Sequence, residues 1–177
     1  MIQILETERL FLRRFDLNDT SFIIELLNTP GWLEFIGDKK VKTHDEAITY
    51  LQDGPLKSYK ANGFGLSLVA LKEDYHPIGM CGLIKRPTLE KIDIGFAFLP
   101  TYNGMGYAYE IAQEIVNYGK NHFHLDEIVA ITIPANVRSI KLLNKLGFYF
   151  KKMVNNADEK EELLLFSNVA QPERASP

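Results

Sequence analysis

The clearest chemistry in the sequence lies in Leu99-Pro-Thr-Tyr-Asn-Gly-Met-Gly-Tyr-Ala-Tyr-Glu110, between an apolar run and an amphipathic one. The first turn of a helix carries backbone N–H groups that have no internal acceptor and sit at the positive end of the helix dipole. An anion can accept from several of them at once if no bulky side chain blocks its approach, and Gly104, Gly106 and Ala108 leave that approach open. The natural reading is a phosphate or pyrophosphate site. Neither common nucleotide motif fits. A P-loop needs a Lys after its second motif glycine, and the dinucleotide fingerprint needs a third glycine where Tyr109 stands. On spacing alone, a tight turn with Asn103 as helix cap remains equally open.

Other residue types invite chemistry less directly. Asp93 alternates with Ile92 and Ile94 and so lies on the opposite face of its strand. Such a carboxylate can relay a proton through water, or it can remain solvated and pair with Lys91. Asn136 and Ser139 open a helix after Pro134, where Asn136 also suits an N-cap. His122, His124 and Asp126 could face one way as metal ligands, but they fall at an expected helix end, where the dipole attracts histidine, and no metal is expected. Cys81 is the only cysteine, so no internal disulfide or cysteine zinc site forms, and its apolar neighbours make it a small core residue. Asp158 to Glu162 reads as a charged hairpin edge. Trp32, Phe35 and Tyr59 read as core or lid packing.

The elements that must hold these residues follow from periodicity. Arg9 to Arg13 is a first strand. A helix capped by Asn18 or Asp19 carries Phe22, Ile23, Leu26 and Leu27 on one face and is broken by Pro30-Gly31. Thr43-His-Asp-Glu46 is a capping box for a second helix, kinked at Gly54-Pro55. Phe64–Leu71, Ile78–Lys85 and Ile92–Leu99 read as successive strands. The helix after the glycine loop buries Ala108, Ile111, Ala112, Ile115 and Val116. A strand from Asp126 to Ile133 is followed by a helix from Pro134 to Leu146, stopped by Gly147. Strands at Phe148–Val154 and Glu162–Asn168 close the chain. This is an α/β (α+β) arrangement: a mixed, mostly antiparallel sheet of about seven strands flanked by about four helices, with one parallel pair where the glycine-loop helix crosses over.

The chain has 177 residues, 46% of them hydrophobic and 24% charged, which suits one domain with a real core and excludes fibrous or wholly disordered readings. That domain is expected over 1–168, with a flexible tail at 169–177. A net charge of −3 gives no basic excess for gripping nucleic acid. No apolar run approaches bilayer-spanning length, and acids stand where a signal peptide would need basic residues, so a soluble cytoplasmic protein is expected.

Asn103-Gly-Met-Gly-Tyr-Ala108 resembles motif A (Gln/Arg-x-x-Gly-x-Gly/Ala) of the GNAT superfamily of N-acetyltransferases, with Asn103 where the motif prefers Gln or Arg. The run Asp93-Ile-Gly-Phe-Ala-Phe-Leu-Pro, ending in Gly-Met-Gly-Tyr-Ala-Tyr-Glu110, resembles the ribosomal-protein (RimJ/RimL-like) branch. So do Glu6-Thr-Glu-Arg-Leu-Phe-Leu-Arg13, Ile78-Gly-Met-Cys-Gly-Leu83 and the segment from Asn136 to Phe148. The resemblance implies a single-domain GNAT fold and acetyl transfer from acetyl-CoA to a primary amine, a protein N-terminus or a small molecule, without a covalent enzyme intermediate. It places the CoA pyrophosphate on the loop from Asn103 and Gly104, at the N–H groups of Met105, Gly106, Tyr107, Ala108 and Tyr109. Phe98 and Leu99 would pair with the pantetheine as an added strand does. It also implies that Asp93 relays the amine proton, that Asn136 bonds the pantetheine and that Ser139 stabilises or protonates the leaving thiolate. Leu143 stands where many relatives carry a tyrosine acid. Trp32, Glu34 and Phe35 lie in the region that borders the acceptor. A non-catalytic acyl-CoA-binding sensor and, more distantly, a nucleotide-binding regulator are the rival readings, and monomer and homodimer are both compatible with the sequence.

Overall fold

A computed structural model of the chain describes residues 2–155 and 162–170. Most of the acidic run from Asp158 and of the expected tail lies outside the described residues. One sheet of eight strands organises the chain: β1 (Gln3–Glu6), β2 (Leu10–Arg13), β3 (Leu66–Leu71), β4 (Pro77–Ile84), β5 (Ile92–Phe98), β6 (Ile128–Thr132), β7 (Tyr149–Asn155) and β8 (Glu162–Ser167). Their spatial order is β1-β2-β3-β4-β5-β6-β8-β7. Every pairing is antiparallel except β5 with β6, which are joined through a helix as expected for a crossover unit. The seven expected strands are present. The eighth, β1, is a short edge strand with no fully buried residue, so it has no apolar alternation to announce it.

Six α-helices cover the two faces: α1 (Thr20–Leu27), α2 (Pro30–Phe35), α3 (His44–Leu51), α4 (Lys57–Asn62), α5 (Tyr107–Phe123) and α6 (Val137–Lys145). Two helix starts differ from expectation. Neither Asn18 nor Asp19 caps α1 through its side chain. Asp16 instead caps a 3-10 turn at Leu17–Asp19, and the Asp19 carboxylate is taken by Arg13 at 2.6 Å. Pro30-Gly31 opens α2 as well as closing α1, because Pro30 occupies a first-turn position where its missing N–H costs nothing, and the Thr29 hydroxyl caps Trp32 N–H. The capping box at Thr43 and Glu46 forms as read. The kink at Gly54-Pro55 is a π-turn over Gln52–Leu56 that joins α3 to α4, widening the ladder where Pro55 has no N–H to give.

Strand alternation divides the interior in two. Leu10, Leu12 and Val69 join α5 and α6 in one core with Ile111, Ile115, Leu143 and Phe148. Phe11, Leu68 and Ala70 point the other way and pack with Phe22, Leu26, Trp32 and Leu51 from the first helices. Each fully buried Leu or Ile contributes about 1.5–3 kcal/mol, so burying both sheet faces holds the scaffold. Gly119 lets α5 settle closely, since a Cβ there would lie 2.9 Å from Ile128 Cδ1. Cys81 is fully buried in the first core, and desolvation pushes its thiol up to about 12. His124 forms the left-handed C-cap of α5 (φ 53°). No helix among the described residues is long and apolar enough to cross a membrane.

Close backbone approach also sets a limit within the sheet. A Cβ on Gly82 would lie 2.2 Å from the Gly65 carbonyl oxygen and 2.9 Å from its carbon. Gly82→Ala therefore forces β3 and β4 apart, and a loss of about 2 kcal/mol or more is expected, read as a drop in Tm.

Candidate active site

The glycine loop meets α5 in the geometry its sequence implies. Gly104 (φ 80°) and Gly106 (φ 86°) both occupy the left-handed region, which side chains resist, and Gly106 is the N-cap of α5. The first helical bond across this junction is Glu110 N–H to Gly106 O at 3.0 Å. The N–H groups of Met105, Gly106, Tyr107, Ala108 and Tyr109 have no acceptor among the described residues. Asn103 differs, because its N–H donates to Pro100 O at 3.2 Å, closing the preceding turn.

The loop is held from the far end of the chain by a residue that sequence reading left inside a strand. Arg9 donates from Nη1 to Met105 O at 3.1 Å, bonds Glu110 through Nε and Nη2 at 2.7 Å each, and stacks its guanidinium 4.5 Å above the Tyr107 ring. Thr7 Oγ1 and Arg9 N–H add bonds to Glu110 at 2.5 and 2.9 Å. Partial burial would raise the Glu110 carboxyl, but the bonds from Thr7 and Arg9 outweigh it and hold the group below the usual carboxylate range. Glu110 stays charged, and Arg9 offsets that charge beside the glycine turn. The capture of a loop carbonyl by Arg9 leaves the loop N–H groups on offer.

The second feature is a parting in the sheet. β5 and β6 pair only at Ile92–Ile128 and Asp93–Val129, then run on to Phe98 and Thr132 without each other. Leu99 N–H donates to Ile78 O at 2.9 Å, so the odd-numbered residues of β5 turn their backbone groups to β4. Phe96 and Phe98, beyond the last paired position, accordingly turn theirs into the gap. Leu99 is committed on both sides, since its carbonyl also accepts from Tyr102 N–H at 3.0 Å. The backbone groups left facing the gap thus belong to Phe98 and residues before it, while those of Leu99 are already bonded.

A cavity of about 150 Å³ lies at this parting. It brings together Asp93, Asn136, Ser139, Trp32 and Phe35, with Leu143 in its wall. Glu34, on the same helix as Trp32 and Phe35, is exposed and is not part of the lining. Asn136 caps α6, its Oδ1 accepting from Ser139 N–H at 3.1 Å, and this leaves Nδ2 outside the cap.

Asp93 is not the solvated carboxylate that an acid on a strand usually is. The face opposite Ile92 and Ile94 is covered by the first helices, and Asp93 is 0% exposed. Its Oδ2 accepts a close bond from Arg86 Nε, not from Lys91, which pairs with Glu127 at 3.7 Å. Its Oδ1 has no hydrogen-bond partner among the described residues. Burial pushes the carboxyl up to about 6, against the opposing pull of Arg86 and the Ile131 N–H. Such a group can exchange a proton near neutral pH. Arg86, 7 positions before Asp93 and outside any motif, carried no signal of this partnership in the sequence.

The family pattern described as Acetyltransferase (GNAT) domain matches residues 9–149, most of the chain. The chain belongs to the GNAT acetyltransferase family. Among relatives, YnaD, an uncharacterized N-acetyltransferase of Bacillus subtilis (strain 168), is 29% identical over 157 residues, covering 86% of this chain and 89% of that protein. The GNAT fold is shared with an acetyltransferase from Agrobacterium tumefaciens str. C58 at a TM-score of 0.80 and 20% identity, covering 97% and 95% of the two chains. It is shared too with RimL, a ribosomal L7/L12 alpha-N-protein acetyltransferase solved in complex with coenzyme A, at a TM-score of 0.79 and 14% identity, covering 93% and 96%. As a GNAT protein, this chain is an N-acetyltransferase.

The buried carboxyl makes stability depend on pH in a defined direction. Asp93 holds its proton up to about 6 when folded, against 3.8 as its ordinary value, so the folded state binds more protons between those limits. Its contribution is therefore present at the acid end and lost as pH rises through about 6. Urea melts of wild type and Asp93→Asn from pH 4 to 7 are expected to differ by a slope of that sign. Parallel curves contradict the assignment.

Proposed function

We propose that the protein transfers an acetyl group from acetyl-CoA to a primary amine, of a protein N-terminus or a small molecule, by direct attack within a ternary complex. The observation that carries this reading is the row of main-chain N–H groups from Met105 to Tyr109 without acceptors among the described residues, at the start of α5 and beside the parted strands. The pyrophosphate of CoA suits those donors and the helix dipole. The pantetheine amides suit the free backbone groups of β5 and Asn136 Nδ2, running toward the cavity. The small loop residues and the donor set fit this cosubstrate.

With both reactants held in one cleft, proximity supplies much of the acceleration. The ammonium loses its proton to Asp93, directly or through a water, and the neutral nitrogen attacks the thioester carbonyl carbon. A backbone N–H of β5 facing the gap, at Phe96 or Phe98, bonds the developing oxyanion. The C–S bond then breaks and the sulfur leaves as thiolate, the surplus proton on the attacking nitrogen passes through water toward that thiolate, and the acetyl group stays on nitrogen as a neutral amide. Leu143 offers no proton, so Ser139, or a water it holds, stabilises or protonates that sulfur. Trp32 and Phe35 form the acceptor wall, and the exposed Glu34 lies farther out.

Titration with CoA followed by an amine panel assayed for free thiol tests the reading. Expected are CoA binding that weakens when Gly106→Val removes the left-handed turn, and thiol release that needs an amine. Clear CoA binding with no thiol from any amine points instead to the sensor. In steady state, kcat/KM for the amine is expected to rise with pH through a limb near 6, because only the Asp93 carboxylate accepts the proton. Ser139→Ala should lower kcat by about tenfold to a hundredfold while leaving CoA affinity nearly unchanged.

A further inference from the structure

The cavity at the strand parting carries two charged groups in its lining, Asp93 and Arg86, and they neutralise each other. The rest is mostly apolar, with Trp32, Phe35, Ile94 and Leu143 among the walls. This composition bears on the acceptor. An ammonium entering such a site adds one positive charge, and once its proton has passed to Asp93 the guanidinium of Arg86 is left without its counter-ion. Uncompensated charge among apolar walls is costly, and a polycation multiplies the cost. An acceptor that brings its own anion keeps the site neutral before and after proton transfer.

The polar atoms match that requirement in kind. On the acceptor side, Asp93 Oδ1 is buried and unpartnered, ready to take an N–H of the amine. On the donor side, Arg86 spends Nε on Asp93, and neither Nη makes a hydrogen bond among the described residues, although the side chain is 39% exposed and so reachable. A second donor, the indole N–H of Trp32, is buried with no acceptor among the described residues. A guanidinium with two parallel N–H groups free is built for a carboxylate.

Resting on the transferase reading above, we infer that the acceptor is a zwitterion: a primary amine with a carboxylate a few bonds away and an apolar remainder, its carboxylate read by Arg86. Two sources carry this chemistry, a free amino acid and a peptide whose first residue is Asp or Glu. Arg86 is then a specificity-determining residue that also positions Asp93.

Matched pairs that differ only in the carboxylate test this: phenylalanine against phenethylamine, leucine against isoamylamine, and tetrapeptides beginning with Asp against the same peptides beginning with Ala, with spermidine as the polycation. Wild type is expected to favour the carboxylate member of a pair by about tenfold to a hundredfold in kcat/KM, the range for a hydrogen-bonded charge, and to leave spermidine poorest. Arg86→Gln should collapse the ratio between members toward one, with Arg86→Lys intermediate, whatever happens to the absolute rate through Asp93. A preference confined to the acidic peptides supports the proposal with a protein as source; one confined to free amino acids supports it with a small molecule. Equal rates within pairs, a preference for spermidine, or a ratio that survives Arg86→Gln overturns it, and the wild-type panel decides even if the variants fail to fold. Calorimetry on the CoA-loaded protein separates the two readings. If no pair releases thiol but the carboxylate member binds selectively through Arg86, the transferase reading fails and the zwitterion site stands. If neither member binds, the site is refuted.

Discussion

Main-chain amides that a fold does not bond internally are free to hold a ligand, and among the described residues two sets of amides have no acceptor. The first is the entry to α5, where two left-handed glycines turn the chain so that the N–H groups from Met105 to Tyr109 look outward. The second is the inner edge of β5 beyond Asp93, abandoned by β6 after two residue pairs. A sheet does not forgo ladder bonds cheaply, and elsewhere here neighbouring strands pair through most of their length. The parting is affordable because β5 is held firmly by β4 on its other side, through a register that runs unbroken from Gly79–Phe98 to Ile84–Asp93. The site is thus a local shortage of acceptors inside an otherwise satisfied sheet.

The same parting explains why a carboxylate can sit where Asp93 does. It lies at the last paired position, with core on the Ile94 side and helices on its own side. A buried charge at this depth stands only with a partner, and Arg86 supplies one from the chain segment after β4. The pairing is incomplete by one oxygen, Oδ1, which has no hydrogen-bond partner among the described residues. Full satisfaction would have fixed the carboxylate as an ion and removed its ability to exchange a proton near neutral pH.

Legibility in the sequence followed the range of the interactions. The α5 stripe, the Thr43 capping box, the glycine turn and the Asn136 cap depend on residues within a few positions of one another, and all could be read directly. The parallel pairing of β5 with β6 followed from the crossover, although its early end did not, because no local pattern encodes a missing neighbour. The Arg9 clamp on Glu110 spans 101 positions and was invisible for that reason. Alternation placed Asp93 on the face away from Ile92 and Ile94 correctly, but only the packing of α1 to α4 decides that this face is buried. Pro30-Gly31 misled in a different way, since the same pair that stops one helix is also well suited to start the next.

Leu143 ties the remaining pieces together. It is buried in the first core and walls the cavity, so the position serves packing as much as chemistry. Under the proposed reaction an apolar group there gives a departing thiolate no donor on that side, and the task falls to the N-terminal turn of α6, four residues earlier. That turn is organised by Asn136, whose Oδ1 fixes Ser139 N–H and with it the place of the serine side chain on the cavity wall. A helix start carries positive potential, which favours a developing anion in addition to any bond from the hydroxyl. The cap that starts the helix therefore also fixes the turn that carries Ser139, and leaves Asn136 Nδ2 free of it.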